Sequence, residues 1–487
     1  MSTFDRSKVP EPVLCQHGEW IDMYWKALEM GLGNVEHPTK KGWKSQMCCM
    51  PGSGNIWQWD SCFMAMFSKY MPGVMPGYNN LDNLYRMQDK RGYISMAYII
   101  EKEKEAYGEL INPPLYAWAE WQYYRSTGDK VRLARCLPVL VKLYDWLKAN
   151  RRRDEIGLYW FEVPGASGMD NSPRGGHYRN GSGMAHVDLS AQQALSAGYL
   201  AQMATALGKK QLAARFETER TDLGEKINSI MWSEKTGFYH DIFNDDYRYK
   251  NIINSKTVAG FWPLLAGIAT HGRADRLIEH LLNPAEFWRK HPVPSLSADD
   301  PNYDSLGAYW RGGVWAPTNY MVVKGLERYG RRDLAYELAV KHMENLCEVW
   351  TGFGPASLWE CYSPDLNRPG TAKEGELSRS GFVGWTGLGP VAMLIEDILG
   401  VDVDVPANTI TLRPCLLEEH GIRRLAFGKG HVDLICASRP SRETAPTIKV
   451  SSTVPFKLRV EWVQRKAEKS ISIGDCIFVS GKREELK

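Results

Sequence analysis

Residues 125–133, RSTGDKVRL, mark a predicted boundary between two helices. An apolar helical run ends here, Gly128 follows it, charged residues come next, and a second apolar run begins. A glycine that closes one helix just before another opens is typical of a tight helical hairpin. The pattern recurs at TALGKKQLA (205–213), ATHGRADRL (269–277) and RYGRRDLAY (328–336), with Gly208, Gly272 and Gly330, and more loosely at KYMPGVMPGY (69–78).

Apolar residues at three- and four-residue spacing flank these connectors, as in LPVLVKLYDWL (137–147). Counting such runs predicts about twelve helices between residues ~19 and ~400. We expect them to begin near Trp20, Ser61, Asn79, Pro113, Asp129, Asp188, Lys209, Lys256, Arg273, Val314, Arg332 and Gly381.

The connections between these helices alternate in length. Tight turns follow the even-numbered helices, and longer stretches rich in Trp, Tyr, Asp, Asn and Gly follow the odd-numbered ones. If successive helices run up and down, every long connection emerges at the same end of the bundle, where sites usually lie. The sequence therefore predicts a mainly α-helical (α/α)6 toroid with one loop-rich end.

The tail of the chain has a different pattern. From VDVDVPANTITLRP (401–414) onward, short runs alternate apolar and polar residues, as in HVDLICAS (431–438) and KLRVEWV (457–463). Alternation with period two between turn residues predicts antiparallel strands. We expect residues 1–400 to form the helical domain and residues 401–487 a small β-sandwich.

Composition excludes several classes of protein. Hydrophobic residues make up 44% and charged residues 24%, and 60 Lys and Arg against 57 Asp and Glu give a net charge of +3. No basic block predicts a nucleic-acid partner, and no apolar run approaches the ~18 residues of a membrane span. Because MSTFDRSKVPEP (1–12) lacks the apolar core of a signal peptide, we expect a cytoplasmic protein without a membrane partner.

The ten cysteines form no C-x-x-C pair and have no zinc-like histidine spacing. We expect free thiols and neither a metal nor a cofactor. An alternative that stays open is a calcium site in the fourth connection, near Asp245, where His240, Asp241 and Asp246 also lie, although that oxygen-ligand spacing is not distinctive.

Aromatic residues are frequent, with 18 Trp, 23 Tyr and 14 Phe, and many lie in the glycine-rich long connections. Aromatic faces suit carbohydrate, whose C–H groups pack on a ring while its hydroxyls need polar edges. The alternative is that the tryptophans simply fill a large core.

Polar and aromatic candidates for a site occur in five of the six long connections. Each has a structural alternative: Asp60 and Asn112 as helix caps, Arg311 as a salt-bridge partner, and the stretch SGMDNSPR (167–174) as a surface turn. The candidates are Trp57, Trp59 and Asp60 in the first connection, Asn112 in the second, Asp170, Asn171 and Arg174 in the third, Trp310 and Arg311 in the fifth, and Glu360 in the sixth.

Two of these candidates are carboxyls from widely separated connections. In a closed ring of six hairpins, Asp170 and Glu360 lie on the third and sixth connections, roughly across the mouth from each other. Glu360 stands between Trp359 and Cys361, and such partial desolvation tends to raise the pKa of a carboxyl. Two carboxyls facing across a cavity are what glycoside cleavage needs: one protonates the departing oxygen and the other activates water.

Four motifs together resemble a known family. NIWQWDSCF (55–63), SGMDNSPR (167–174), YWRGGVWAPTNY (309–320) and WECYSPD (359–365), in this order, are similar to the (α/α)6 enzymes of family 63 of the glycoside hydrolases. That group includes α-glucosidases and the hydrolases of mannosylglycerate and glucosylglycerate. The resemblance extends over about residues 20–400.

The resemblance implies an inverting glycosidase that needs no cofactor and takes a small carbohydrate or glycoside as substrate. It implies that Asp170 is the general acid and Glu360 the general base. The residues that it implies around the terminal sugar are Trp57, Trp59, Asp60, Asn112, Asn171, Trp310, Arg311 and Trp385. We expect an exo-acting enzyme that removes a terminal α-linked unit, with α-glucosyl the favoured sugar.

Two other functions stay open at this point. Sugar 2-epimerases use the same toroid with catalytic histidines, for which His177, His186 and His240 are the candidates. A non-catalytic sugar-binding protein could also retain the aromatic residues, although both carboxyls are present.

Overall fold

The computed structural model of the protein describes residues 4–174, 183–243, 253–372, 375–479 and 484–485. Besides short 3-10 turns and a π-helical turn at Ile227–Met231, these ranges contain eleven α-helices and a ten-residue π-helix. They are α1 Gly18–Gly33, α2 Gln58–Ser68, α3 Gly77–Arg86, α4 Tyr116–Thr127, α5 Lys130–Asn150, α6 Val187–Ala206, α7 Lys210–Lys226, α8 Trp262–Ala266, α9 His271–Leu282, α10 Ala316–Arg328, α11 Arg332–Gly352 and the π-helix α12 Gly389–Ile398.

The predicted helices are confirmed in number and order, and so is the alternation of short and long connections. Gly128, Gly208 and Gly330 end or directly follow helices with φ near +72°, the left-handed conformation that glycine adopts without strain. The prediction for Gly272 is wrong. This residue lies in the first turn of α9, and Gly267 caps the preceding helix α8 instead, with φ +65°.

The even-numbered helices pack side by side. Consecutive members of the series α2, α4, α6, α8, α10 and α12 are in contact, and α12 also contacts α2. Their sequences agree with this interior position, since every residue of α2 is buried and α6 is buried on nearly all its faces. A helix buried all round belongs inside a protein, whereas the odd-numbered helices keep one polar face for solvent.

The strands fall into a group of short strands that precede or lie among the helices and a second group at the carboxyl end of the chain. The first group comprises β1 Glu11–Leu14, β2 Val35–Glu36, β3 Gln46–Met47, β4 Asn55–Trp57, β5 Ala97–Ile99, β6 Lys104–Glu105, β7 Met184–Ala185, β8 Trp232–Ser233, β9 Phe238–Tyr239 and β10 Ile242–Phe243. The second comprises β11 Val401–Asp404, β12 Thr409–Leu412, β13 His420–Phe427, β14 Gly430–Cys436, β15 Thr447–Ser452, β16 Phe456–Trp462, β17 Arg465–Ile471, β18 Gly474–Val479 and β19 Glu484–Glu485.

The carboxyl-terminal strands form two five-stranded sheets, in the orders β1-β13-β14-β15-β18 and β11-β12-β16-β17-β19. All the pairs are antiparallel except β12 with β16. Alternate residues of β14, β15 and β16 are buried, as the period-two pattern predicts, whereas a bulge between Ile422 and Leu425 interrupts the alternation in β13. The sequence did not predict β1, which comes from the amino-terminal segment and pairs with β13.

No helix in the described ranges is long and apolar enough to cross a membrane. All ten cysteines are free thiols, as predicted from their spacing.

Candidate active site

The third long connection, between α5 and α6, carries Asp170 on a loop that is anchored on its upstream side. Asn112 donates from Nδ2 to the carbonyl of Ala166 at 2.9 Å. Gly168 lies against the Trp59 ring with φ +77°, where a Cβ atom would stand 2.3 Å from that ring. Only glycine allows this approach, so the sequence SGM places Asp170 directly beside the start of α2.

Arg174 anchors the same loop on its downstream side. Its guanidinium binds the carboxylates of Asp188 and Asp241 in four hydrogen bonds of 2.5–2.8 Å, and all three side chains are almost fully buried. Although burial favours the protonated carboxyl, Arg174 holds the pKa of Asp241 below its usual value. Because its charge is balanced by these two carboxylates, the role of Arg174 is to hold the Asp170 loop in place.

Glu360 lies in the sixth long connection, between α11 and α12, and is 9% exposed. Its Oε1 accepts a hydrogen bond from the Tyr309 hydroxyl at 2.8 Å, while its backbone is fixed by bonds to the Arg379 carbonyl and the Trp385 indole. Burial raises the pKa of Glu360, and the Tyr309 hydrogen bond and the Arg379 charge oppose that shift. The expectation of a raised pKa from the WEC context is confirmed in direction.

The structure brings Asp170 and Glu360 into one electrostatic environment. The charge of Asp170 raises the pKa of Glu360 beyond the effect of burial, and the charges of both act on the Tyr309 hydroxyl. Asp170 is partly exposed, whereas Glu360 is buried. Asn171, which follows Asp170, bonds the 308–310 backbone of the fifth connection, and Tyr309 of that segment bonds Glu360.

A third carboxyl, Asp60, belongs to the same group. It is the third residue of α2, whose N-cap is Trp57, so the alternative that Asp60 caps this helix is wrong. Burial raises its pKa to about 7, the Cys49 thiol opposes this by hydrogen bonding, and the charges of Glu360 and Asp170 raise it further. A buried carboxyl that titrates near neutrality is typical of a functional site.

Tryptophans surround these carboxyls. The ring of Trp59 lies 5.9 Å from that of Trp310 and 5.6 Å from that of Trp385, and Trp310 stacks on Trp315 at 4.0 Å. Trp59, Trp310 and Trp385 are 4%, 1% and 6% exposed, so each offers a ligand only an edge. Trp57 is more accessible and packs on the exposed Tyr107 at 5.4 Å.

Asn112 and Arg311 have different surroundings. Asn112 does not cap α4, whose N-cap is Leu115, so that alternative is wrong; its side chain supports the Asp170 loop. Arg311 is exposed and donates from Nε to the Asn171 carbonyl at 3.3 Å. Because the Arg311 side chain is exposed, its guanidinium can contact a ligand.

Two histidines of the epimerase alternative, His186 and His240, make internal contacts. His186 is fully buried, its Nδ1 accepts from the Phe161 backbone at 3.1 Å, and burial lowers its pKa to about 4. His240 bonds Thr236 at 2.7 Å. His177 lies outside the described residues, as do Asp245 and Asp246 of the calcium alternative; no group of side chains in the described ranges could hold a metal ion.

A separate groove of about 1510 Å³ lies on the outer wall beside α1 and α3. Its carboxylates are held in ion pairs: Glu29 with Arg6 at 2.8 Å, and Asp82 with Lys44 and Arg132 at 2.5 and 3.1 Å. Neither is poised to exchange a proton with a substrate, so the candidate active site is the cluster around Asp170 and Glu360.

The family model of the mannosylglycerate hydrolase MGH1-like glycoside hydrolase domain matches residues 53–378. The chain belongs to this family of glycoside hydrolases. The relation to family 63 that the four motifs predict is confirmed, and so is the broad enzyme class, a glycoside hydrolase.

Known proteins resemble this chain to different extents. An uncharacterized protein of Borreliella burgdorferi is 29% identical over 429 residues, which are 86% of this chain and 88% of that one. A probable mannosyl-oligosaccharide glucosidase of Schizosaccharomyces pombe is 25% identical over 327 residues, 59% of this chain and 39% of the yeast protein. The crystal structure of a GH63 mannosylglycerate hydrolase of Thermus thermophilus with glucose superposes with a TM-score of 0.62 at 22% identity, covering 76% of this chain and 99% of that one.

Sequence reasoning missed three residues that shape the site. Tyr309 holds Glu360, Cys49 bonds Asp60, and Arg379 lies close enough to lower the pKa of Glu360. Tyr309 opens the quoted motif YWRGG between glycines, which is a signal for a side chain held by an unusual backbone. Neither Cys49 nor Arg379 lies in a pattern that would single it out.

Replacing Asp60 by asparagine should stabilise the protein at neutral and alkaline pH. The unfolded carboxyl ionises near 3.8, whereas the folded one keeps its proton to about 7, so the folded state loses stability as pH rises between these values. The free energy of unfolding of the Asp60→Asn variant should exceed that of the unchanged protein by at most about 4 kcal/mol at pH 8 and by nearly nothing at pH 4. Urea unfolding of both proteins at these two pH values measures the difference; an equal gain at both would show that Asp60 is not destabilised by its charge.

Proposed function

We propose that this protein is an exo-acting, inverting α-glycosidase in which Asp170 is the general acid and Glu360 the general base. The observation that carries this proposal is the pairing of two carboxyls from distant loops: Glu360 is buried and oriented by Tyr309, and the partly exposed Asp170 is close enough for its charge to act on Glu360. Carboxyls in this relation suit a reaction that donates one proton and removes another.

The proposed reaction has two proton transfers. The Asp170 carboxyl gives its proton to the glycosidic oxygen as the bond from that oxygen to the anomeric carbon breaks. Glu360 accepts a proton from the water that attacks the opposite face of the same carbon. One water is consumed, the free sugar leaves with inverted configuration, and solvent returns both carboxyls to their starting states.

The surroundings support binding of a terminal sugar unit. We propose that Trp57, Trp59, Trp310 and Trp385 bound the sugar and that Asp60 accepts hydrogen bonds from its hydroxyls. Arg311 is proposed to bind the sugar at the rim, where its side chain is exposed. An α-glucosyl unit is the proposed sugar, because relatives named as a glucosidase and as a hydrolase bound to glucose match this chain.

We also infer that the helices close into an (α/α)6 toroid with a carboxyl-terminal β-sandwich. The contact of α12 with both α2 and α10 supports a closed inner ring of even-numbered helices. Asp170 and Glu360 both follow odd-numbered helices, α5 and α11, so their loops leave the ring at the same end.

Anomer-resolved NMR tests this proposal. The protein is mixed with small α-linked glucosides and mannosides, including the glycerate glycosides, and the released sugar is followed before mutarotation. Early appearance of the β-anomer from an α-glucoside is the expected result. The α-anomer first would contradict inversion, release only from α-mannosides would replace the proposed sugar, and epimer formation without hydrolysis would favour the 2-epimerase alternative.

A further inference from the structure

Asn171 directly follows Asp170 and joins two active-site loops. Its Nδ2 donates to the Ala308 carbonyl at 2.9 Å, and its Oδ1 accepts from the Trp310 backbone at 2.9 Å. These bonds bracket Tyr309, the residue between the two. Since the amide uses both of its polar atoms in this way, its main contacts are with the neighbouring loop.

The backbone that Asn171 grips is strained. Ala308 and Tyr309 have φ values of +33° and +64°, which non-glycine residues rarely adopt. Such conformations persist only where their surroundings hold them. Thr371 holds the same turn from the other side, by bonds of 2.7 and 3.0 Å from the two backbone N–H groups.

The strained turn has a specific result at the site. It directs the Tyr309 hydroxyl to Glu360 Oε1 at 2.8 Å. We propose that Asn171 is a positioning residue that ties the acid loop to the base, setting the placement of Glu360 relative to Asp170 through Tyr309. This inference rests on the proposed function and assigns Asn171 a role other than the sugar contact that the family resemblance implies.

The acidic limb of the pH–rate profile reports the ionisation of the base. Tyr309 and Arg379 lower the pKa of Glu360 and the charge of Asp170 raises it, while the charge of Glu360 raises the pKa of Asp60. Losing the Tyr309 hydrogen bond therefore raises the pKa of Glu360. Because the base must be ionised, the acidic limb of the pH–rate profile then moves to higher pH.

A double-mutant cycle of Asn171→Ala and Tyr309→Phe tests the inference. Asn171→Ala is expected to lower kcat about 10- to 100-fold with KM changed less than about threefold, because a displacement of about 1 Å near the reacting atoms can cost a hundredfold. Both single variants should move the acidic limb upward. The double variant should be little worse than the poorer single variant, because both act through one contact. Additive losses, or an unmoved limb in Asn171→Ala, would overturn the inference.

An α-glucosyl fluoride substrate distinguishes a defect at the acid Asp170 from one at the base Glu360. Fluoride needs little help from the acid, so a defect that arises only at Asp170 should nearly vanish with it. The Asn171→Ala defect is expected to persist, since it includes the base. Its disappearance would leave Asn171 as a support for Asp170 alone and overturn the link to Glu360.

Asn83→Ala is the matched control. Asn83 makes the same pair of bonds, to the Lys44 backbone at 2.9 and 3.0 Å, but on the outer wall. It should lower the melting temperature without moving the acidic limb. If Glu360→Gln keeps near wild-type turnover, the proposed function itself fails; if Glu360→Gln is inactive while Asn171→Ala is normal, only the positioning role fails.

Discussion

Glu360→Gln lowers turnover of an α-glucoside by at least about a hundredfold, the lower end of the range for acid–base groups. The amide cannot accept a proton from the attacking water, although it can still accept the Tyr309 hydrogen bond that orients it. The loss should be similar for good and poor leaving groups, because water attack is needed in both. Initial rates with an α-glucosyl fluoride and an α-linked disaccharide measure it.

The control for this variant is Glu234→Gln, a glutamate that is 72% exposed on the outer surface. It should leave kcat and KM unchanged. Near-normal turnover in Glu360→Gln, with the protein folded, would remove the base from the mechanism.

Asp170→Asn is the second change with a large expected effect, and its loss depends on the leaving group. With a disaccharide, whose departing alkoxide needs a proton, the loss should reach at least about a hundredfold. With the fluoride, which leaves without a proton, the variant should recover most of the wild-type rate. The basic limb of the pH–rate profile, which reports deprotonation of the acid, should disappear with the fluoride.

Asp154→Asn serves as the control here, since that side chain is 91% exposed. A uniform loss across both substrates would show that Asp170 acts in binding or folding instead of proton donation.

The order of the helices and their connections could be predicted from local sequence patterns. Gly128, Gly208 and Gly330 mark helix ends because the left-handed backbone conformation found there strongly favours glycine, which is visible in the sequence. Gly272 misled because a glycine in the first turn of a helix resembles one that ends the helix before it. The strand β1 escaped notice because its four residues acquire their partner from a segment more than 400 residues away.

Less of the candidate active site could be predicted from the sequence. Asp170 and Glu360 could be paired from the alternation of connections, but the side chains that set their properties could not. Tyr309 reaches Glu360 only because its backbone is held in a rare conformation by contacts from two other loops. Likewise, the sequence does not predict that Arg174 forms ion pairs with Asp188 and Asp241, since those partners lie 14 and 67 residues away.

In the proposed mechanism, Asp170 and Glu360 act on opposite faces of one sugar. A crystal structure of the Asp170→Asn variant with an intact α-linked disaccharide tests it most directly. We expect the anomeric carbon to lie between residues 170 and 360, with their side chains roughly 6.5–9.5 Å apart and a water between Glu360 and that carbon. A disaccharide bound in the outer groove, or one with both side chains on the same face of the sugar, would contradict it.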